Sequence, residues 1–162
     1  MSGIRRSPGS TGGAGLRLAL ALALGAWLLT SCGAIRFHRA WSSYEPPADG
    51  TGMEGRWKGE WRSEWNGHSG GLRCLMTPQA EEGCYRAWFF STYASLLFFQ
   101  YKTEFRLDGS GLGSLTFAGE QDLGKMVGGL YRYEGTIVAD SFRATFRAEN
   151  GDHGVMEMQR VD

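Results

Sequence analysis

The stretch Gly55-Arg-Trp-Lys-Gly-Glu-Trp-Arg-Ser-Glu-Trp65 decides the fold class of this chain. Its odd positions hold three tryptophans with Gly59 and Ser63 between them, and its even positions from 56 to 64 are all charged. Because successive side chains of a strand point to opposite faces, this alternation predicts a β-strand with one aromatic and one charged face. A helix would bring Glu64 into the tryptophan stripe, and Gly59 would weaken that helix.

The dipeptide Asn66-Gly67 follows this strand and is a strong signal for a two-residue hairpin turn. Such a turn places every apolar partner on the inner face of the hairpin. The expected pairs are Trp65 with His68, Trp61 with Leu72, Gly59 with Cys74 and Trp57 with Met76 inside, and Glu60 with Arg73 outside.

Alternation of apolar and polar residues also predicts six later strands, and turn residues separate them. They lie near 84–91, 99–107, 115–119 and 130–138, then around Phe142–Phe146 and Met156–Met158, with turns at Asp108–Gly111 and Ala139–Asp140. Eight amphipathic strands in a meander lose their unpaired edges when the sheet closes. The prediction is therefore an all-β fold, an antiparallel up-and-down meander that closes into an eight-stranded barrel. A two-sheet β-sandwich is the alternative.

The opening of the first strand, Gly55-Arg-Trp57, resembles the Gly-x-Trp start of calycin-type barrels such as lipocalins, fatty-acid-binding proteins and avidins. This resemblance implies the barrel architecture and assigns no ligand.

The N-terminal segment has the composition of an export signal. Its basic residues Arg5, Arg6 and Arg17 precede the apolar run Leu18–Leu29, and no acidic residue occurs before Glu45. A run of about a dozen apolar residues has the length of a secretory h-region and is short for a membrane span. The residues Leu29-Thr-Ser-Cys32 that follow resemble the lipobox of bacterial lipoproteins. The resemblance implies cleavage before Cys32 and lipid attachment to this cysteine.

The expected organisation is a lipoprotein signal peptide at 1–31, a lipidated tether at 32–53 and the β-barrel domain at 54–162. We assign 32–53 to a tether because Pro46-Pro47 interrupts it and no clear amphipathic face is present. The expected location is the bacterial cell envelope, with a lipid anchor in the membrane. Gly33, in place of an Asp, favours the outer membrane.

Charge argues against a nucleic-acid partner. The 17 basic and 17 acidic residues of the chain balance, and residues 1–31 hold three of the basic ones, so the mature chain carries a net charge of −3. Nucleic-acid binding requires a basic surface.

Polar candidates converge at one end of a meander, because alternate connections lie at the same end. We expect a ligand mouth there, formed by His68, Glu120, Asp122, Asp152 and His153. These residue types also suit a metal ion, so a metal-dependent enzyme is a third hypothesis. They are equally common in ordinary turns. The sequence assigns no catalytic residue and no cofactor.

Inward-facing aromatic residues are candidates for a cavity lining: Trp57, Trp61, Tyr101, Phe105, Tyr131 and Tyr133. They either line a cavity for a small apolar ligand or fill the barrel. In a small barrel, filling is the more common outcome, but small inner positions leave room for a cavity: Gly59, Ala87, Gly119, Gly135 and Ala144. Non-catalytic binding of a small apolar or amphipathic molecule is the leading hypothesis.

The uncharged stretch Ala87–Phe99 predicts a second surface. We expect Trp88, Phe90, Leu97 and Phe98 to be exposed, and exposed apolar surface of this size marks a contact. The second hypothesis is accordingly a structural or assembly lipoprotein that touches a protein partner or membrane here. A short lid helix over the barrel is the alternative for this stretch.

The expected facing places the Cys74 side chain inside the barrel and that of Cys84 outside. Diverging side chains oppose a disulfide, although an oxidising compartment would permit one. We predict two free thiols.

Overall fold

The computed structural model of this chain describes residues 33–47, 52–93, 97–111 and 113–161. Cys32 and the signal segment lie outside the described residues. Within them, eight antiparallel strands follow one another around a closed barrel, and the last strand pairs with the first. The predicted all-β meander is confirmed, and the two-sheet alternative is not adopted.

The strands are β1 (Gly55–Ser63), β2 (Ser69–Pro78), β3 (Cys84–Tyr93), β4 (Leu97–Gly111), β5 (Ser114–Asp122), β6 (Leu130–Val138), β7 (Ser141–Ala148) and β8 (His153–Arg160). A 3₁₀ turn occupies Lys125–Val127, and residues 33–42 are helical. The compact unit that contains the barrel begins at Phe37. None of the described helical residues belongs to a helix long and apolar enough to cross a membrane.

The register of the first hairpin differs by two residues from the expected one. Trp57 pairs with Cys74 and Trp61 with Gly70, because β1 ends at Ser63 and the five residues 64–68, in place of a two-residue turn, connect it to β2. The Ser63 amide donates to the His68 carbonyl at 2.8 Å and closes this loop. An even shift leaves every side chain on its predicted face.

This shift replaces all five expected pairs. Trp65 leaves the strand for the loop, where it is 56% exposed, so it does not belong to the inner aromatic face. Arg73 lies opposite Lys58 and not opposite Glu60. The loop is stabilised locally, since the Asn66 carboxamide oxygen accepts a hydrogen bond from the His68 amide at 2.9 Å.

The segment Asp108–Gly111 was expected to be a turn, and this prediction is wrong. β4 continues to Gly111, which pairs with Ser114, and the register shifts between Leu107 and Gly109. A β-bulge therefore takes up the extra residue, and the turn falls between Gly111 and Ser114. The turn predicted at Ala139–Asp140 is present.

The end of the barrel that carries the β2–β3, β4–β5 and β6–β7 connections, here called the closed end, is filled. Trp57 is fully buried, and its indole N–H donates to the Met53 carbonyl at 3.0 Å. The Arg160 guanidinium lies 4.4 Å from the Trp57 ring and donates to the carbonyls of Gly52 and Glu54. These contacts seal this end with backbone and side chains.

Aromatic rings fill the barrel beside Trp57. Phe105 is buried against Phe117 at 4.7 Å, and Phe117 stacks on Phe142 at 5.0 Å between ring centroids. The structure places Trp57 and Phe105 in this packed half, and not among the cavity-lining residues described below.

The inner glycines make room for these rings. A Cβ at Gly119 would lie 2.6 Å from Cδ1 of Phe105, and a Cβ at Gly135 would lie 2.5 Å from Cζ of Phe117. The space beside these glycines is occupied by neighbouring aromatic side chains, so they do not enlarge a cavity.

Residues 37–42, here called the strap, are helical and pack on the outer wall. Phe37 is fully buried, with its ring 5.2 Å from Phe90 and 5.4 Å from Trp88. Trp41 lies 5.9 Å from the Arg73 guanidinium. Part of the expected tether is thus ordered, because it buries aromatic side chains that β3 directs outward.

Of the four apolar residues expected to be exposed, two are covered and two are not. Trp88 and Phe90 are half-buried beside the strap, whereas Leu97 and Phe98 remain exposed at the start of β4. Phe90 and Phe98 stack at 5.5 Å, so the two halves are in contact.

Both described cysteines are free thiols, as expected. Cys74 pairs with Phe89, and Cys84 lies five residues before Phe89 on β3, which is about 17 Å at the rise of a strand. That separation is beyond the reach of a disulfide. Burial raises the pKa of the Cys74 thiol well above its ordinary value.

Candidate functional site

A cavity of about 140 Å³ lies at the other end of the barrel, here called the open end. This end carries the β1–β2, β3–β4, β5–β6 and β7–β8 connections. Half of the described lining residues are aromatic: Trp61, Phe99, Tyr101, Tyr131, Tyr133 and Phe146. Four of the six predicted lining residues, Trp61 and the three tyrosines, belong to this set.

Strand alternation positions the tyrosines. Tyr131 and Tyr133 are two residues apart on β6, and Tyr101 faces them from β4. The ring centroid of Tyr133 lies 6.4 Å from that of Tyr101 and 6.3 Å from that of Tyr131. Phe89 stacks on Tyr101 with 5.0 Å between the ring centroids. Phe89 and Tyr133 are buried, so the base of the cavity is continuous with the packed core.

The tyrosine hydroxyls stay protonated in this environment. Burial raises the pKa of Tyr101 well above its ordinary value, and the neighbouring Tyr133 adds to the effect. Burial likewise raises the pKa of Tyr133. Near neutral pH these groups are therefore uncharged and able to form hydrogen bonds.

Asp152 brings a carboxylate to the cavity wall. Its Oδ1 accepts a hydrogen bond of 2.6 Å from the hydroxyl of the buried Ser63, which joins the β7–β8 connection to the end of β1. Burial raises the pKa of Tyr131, and the neighbouring Asp152 raises it further. Asp152 is the charged member of the described lining.

The β5–β6 connection folds over one side of the mouth. Leu123 and Val127 from this connection line the cavity, and the Tyr131 hydroxyl donates to the Val127 carbonyl at 3.0 Å. The Asp122 carboxylate accepts from the Gly124 amide at 2.7 Å and stabilises the start of the connection. Met126, at its tip, is fully exposed.

The two predicted mouth histidines share the open end. The adjacent amides of Ser63 and Glu64 donate to the carbonyls of His68 and His153, each at 2.8 Å. Neither histidine is among the described cavity-lining residues. The His68 ring lies edge-on to Tyr93 at 5.0 Å, and Nδ1 of His153 is 2.9 Å from the Gly151 carbonyl.

The predicted acidic residues have different surroundings. Asp152 lines the cavity, Asp122 caps a turn beside it, and Glu120 lies on the outer wall, 3.8 Å from the Arg132 guanidinium. Glu120 points outward because the residue before it, Gly119, belongs to the inner face of β5. Of the five predicted mouth residues, Asp152 is the one that lines the described cavity, together with aromatic side chains.

The described residues do not assemble a metal site. Within 33–47, 52–93, 97–111 and 113–161, no group of three His, Cys, Asp or Glu side chains is close enough to hold an ion. The third hypothesis, a metal-dependent enzyme, gains no support from this part of the chain.

Several lining residues were not predicted as site residues. Phe99 and Phe146 face inward by strand alternation, so their contribution was readable from the sequence. Ser91 also faces inward, but a small polar residue gives no signal for an apolar site. Leu123 and Val127 lie in the β5–β6 connection, where no alternation of apolar and polar residues indicates which side chains face the cavity.

Comparison with protein-family models, curated proteins and solved structures found no match to this chain.

Proposed function

We propose that this chain is a lipoprotein of the bacterial cell envelope that binds a small apolar or amphipathic molecule without catalysis. The observation that carries this proposal is the aromatic cavity at the open end of an otherwise filled barrel. Concave, mostly apolar sites with a few polar groups are typical of small-molecule binding.

The volume limits the part of the ligand that enters. A dry cavity of about 150 Å³ holds benzene, whereas pockets for drug-sized molecules measure about 300–1,000 Å³. The cavity of about 140 Å³ therefore suits one ring or the end of an acyl chain. The remainder of a larger ligand would extend through the mouth.

The lining also favours an amphipathic ligand. Trp61, Phe99 and Phe146 provide apolar contact area, and the tyrosine hydroxyls with Asp152 provide hydrogen-bonding groups. This combination orients a ligand that has one apolar and one polar part.

The lipoprotein part of the proposal is supported by the Leu29–Cys32 motif and the apolar run before it. Phe37, which is buried on the barrel wall, lies five positions after Cys32. Such a segment spans at most about 18 Å, so a lipid on Cys32 would hold the barrel close to a membrane. Gly33 after Cys32 favours the outer membrane.

The ligand-binding proposal predicts that filling the cavity abolishes binding. We expect Ser91→Phe to displace a ligand, because Ser91 lines the cavity and the added ring would occupy about its full volume. Native mass spectrometry of the purified wild-type protein should show a retained small molecule, which the variant lacks. Thr136→Phe is the matched control, because Thr136 is exposed on the outer wall.

This proposal fails if wild-type protein carries no ligand and shows no binding of ring-sized probes in calorimetry. It also fails if Ser91→Phe and Thr136→Phe retain the ligand equally.

A second candidate function is contact with a membrane or protein partner, and the rim of the cavity favours it. Leu97 is 65% exposed and Phe98 42% exposed at the start of β4, while Trp65 and Met126 are exposed on neighbouring connections. All four lie at the open end. An apolar rim of this kind marks a contact surface.

A further inference from the structure

The negative charge of the Asp152 carboxylate is only partly balanced by its neighbours. The Ser63 hydroxyl donates one hydrogen bond to Oδ1, but a hydroxyl carries no positive charge. The ion pairs formed by the described residues all involve other acids: Glu81, Glu104, Glu120, Asp140 and Glu157. Within this part of the chain, a negative charge thus faces the cavity without a basic partner.

The surroundings of Asp152 favour a cation. Trp61 and Tyr131 line the same cavity, and aromatic faces attract ammonium groups. The carboxylate interacts more strongly with a cation beside apolar walls than in open water, because the local dielectric constant is lower. A neutral ligand would use the aromatic walls but gain little from this charge.

We infer that the cavity selects a cationic amphiphile, in which a ring or chain end enters the barrel and an ammonium group meets Asp152. This inference rests on the proposed ligand binding and specifies the chemical class of the ligand. The ammonium group would donate to the carboxylate, while the Ser63 hydroxyl keeps that carboxylate oriented toward the mouth.

Benzylamine and benzyl alcohol are suitable probes, since they have nearly the same shape and differ in charge near neutral pH. Both are titrated by calorimetry into the purified full-length chain in an amine-free phosphate buffer. We expect benzylamine to bind at least about tenfold more tightly, in keeping with a hydrogen bond to a charged group.

Asp152→Asn tests the origin of this preference. The variant keeps an oxygen that accepts from Ser63 but loses the charge, so we expect it to bind both probes with equal affinity. Its affinity for benzyl alcohol should match that of the wild type, which shows that the cavity is intact. Asp122→Asn is the matched control, because Asp122 lies at the same end and caps a turn outside the described lining. It should keep the full preference.

Equal binding of the two probes to the wild type would overturn the inference and leave the ligand-binding proposal standing. A preference that survives in Asp152→Asn would also overturn it. Absence of binding for both probes would reject the proposed function, and the inference with it.

Discussion

At the scale of single residues, Gly59 allows β1 and β8 to meet where the barrel closes. A Cβ at this position would lie 2.6 Å from Cα of Met158 and would also clash with the Glu157 carbonyl oxygen. Both atoms belong to the backbone of β8, which pairs with Gly59. They cannot move away without weakening the pairing that closes the sheet.

We therefore expect Gly59→Ala to lower the free energy of unfolding by about 1–3 kcal/mol, the range typical of overpacked sites. Urea denaturation followed by tryptophan fluorescence measures this change. In the control Gly111→Ala, the new methyl group would lie 3.3 Å from Oγ of Ser114, which is the end of a short side chain and not a backbone atom. A change below about 0.5 kcal/mol is expected there. Equal losses in the two variants would contradict the closure argument.

At the scale of elements, the strap covers the outer wall of β3 through aromatic contacts, with Phe37 at their centre. Phe37 is buried between Trp88 and Phe90, while the neighbouring His38 and Arg39 are exposed. A helix of so few residues is unstable in isolation, so its contacts with the barrel wall hold the strap in place, and Phe37 is its fully buried member. The barrel itself is closed by its own strand pairing.

We expect Phe37→Ala to release the strap and leave the barrel folded. Loss of a buried phenylalanine contact of about 2 kcal/mol corresponds to roughly a 30-fold increase in local opening. Hydrogen exchange should therefore accelerate at the Ser43 amide, which donates to the Arg39 carbonyl, while amides of β1 and β8 keep their protection. Arg39→Ala is the control and should leave exchange unchanged. Global unfolding of Phe37→Ala at room temperature would show that the strap is part of the barrel's core.

At the scale of the whole molecule, the apolar rim and the strap lie near one another. Phe37 stacks on Phe90, and Phe90 stacks on Phe98 at the rim. If Cys32 carries a lipid, the short segment before Phe37 would bring the open end close to the bilayer. The cavity would then open toward the membrane surface, where amphiphiles are concentrated.

This arrangement predicts that a membrane shields Met126. Palmitate should label the wild type and not Cys32→Ala, which establishes the anchor. In vesicles of phosphatidylethanolamine and phosphatidylglycerol, the lipidated protein is treated with peroxymonosulfate, an anionic oxidant. Met126 is fully exposed in the fold and should nevertheless oxidise slowly.

Val138→Met provides the comparison, because Val138 is 53% exposed at the closed end. The substituted position 138 should oxidise at least about tenfold faster than Met126, since the closed end would face water. Equal oxidation would show that the open end is not seated on the membrane. Label on Cys32→Ala would refute the proposed anchor.

The sequence by itself determined which face of each strand points inward and that the meander brings His68, Asp122, Asp152 and His153 to one end. It did so because a strand alternates with a period of two, and because short connections join neighbouring strands. Lipidation of Cys32 lies outside the described residues and stays a prediction.

Only the tertiary structure decided the register of the first hairpin, the site of the β4 bulge and the half of the barrel that remains open. A pattern with a period of two is unchanged by a shift of two residues, so alternation could not exclude the longer loop after Ser63. The cavity depends on how side chains from different strands share a volume. Phe105 and Tyr101 both face inward by the same alternation, yet Phe105 is buried against Phe117 and Tyr101 lies on a cavity wall. The difference arises because the neighbours of each ring come from other strands, and their positions follow only from the folded packing.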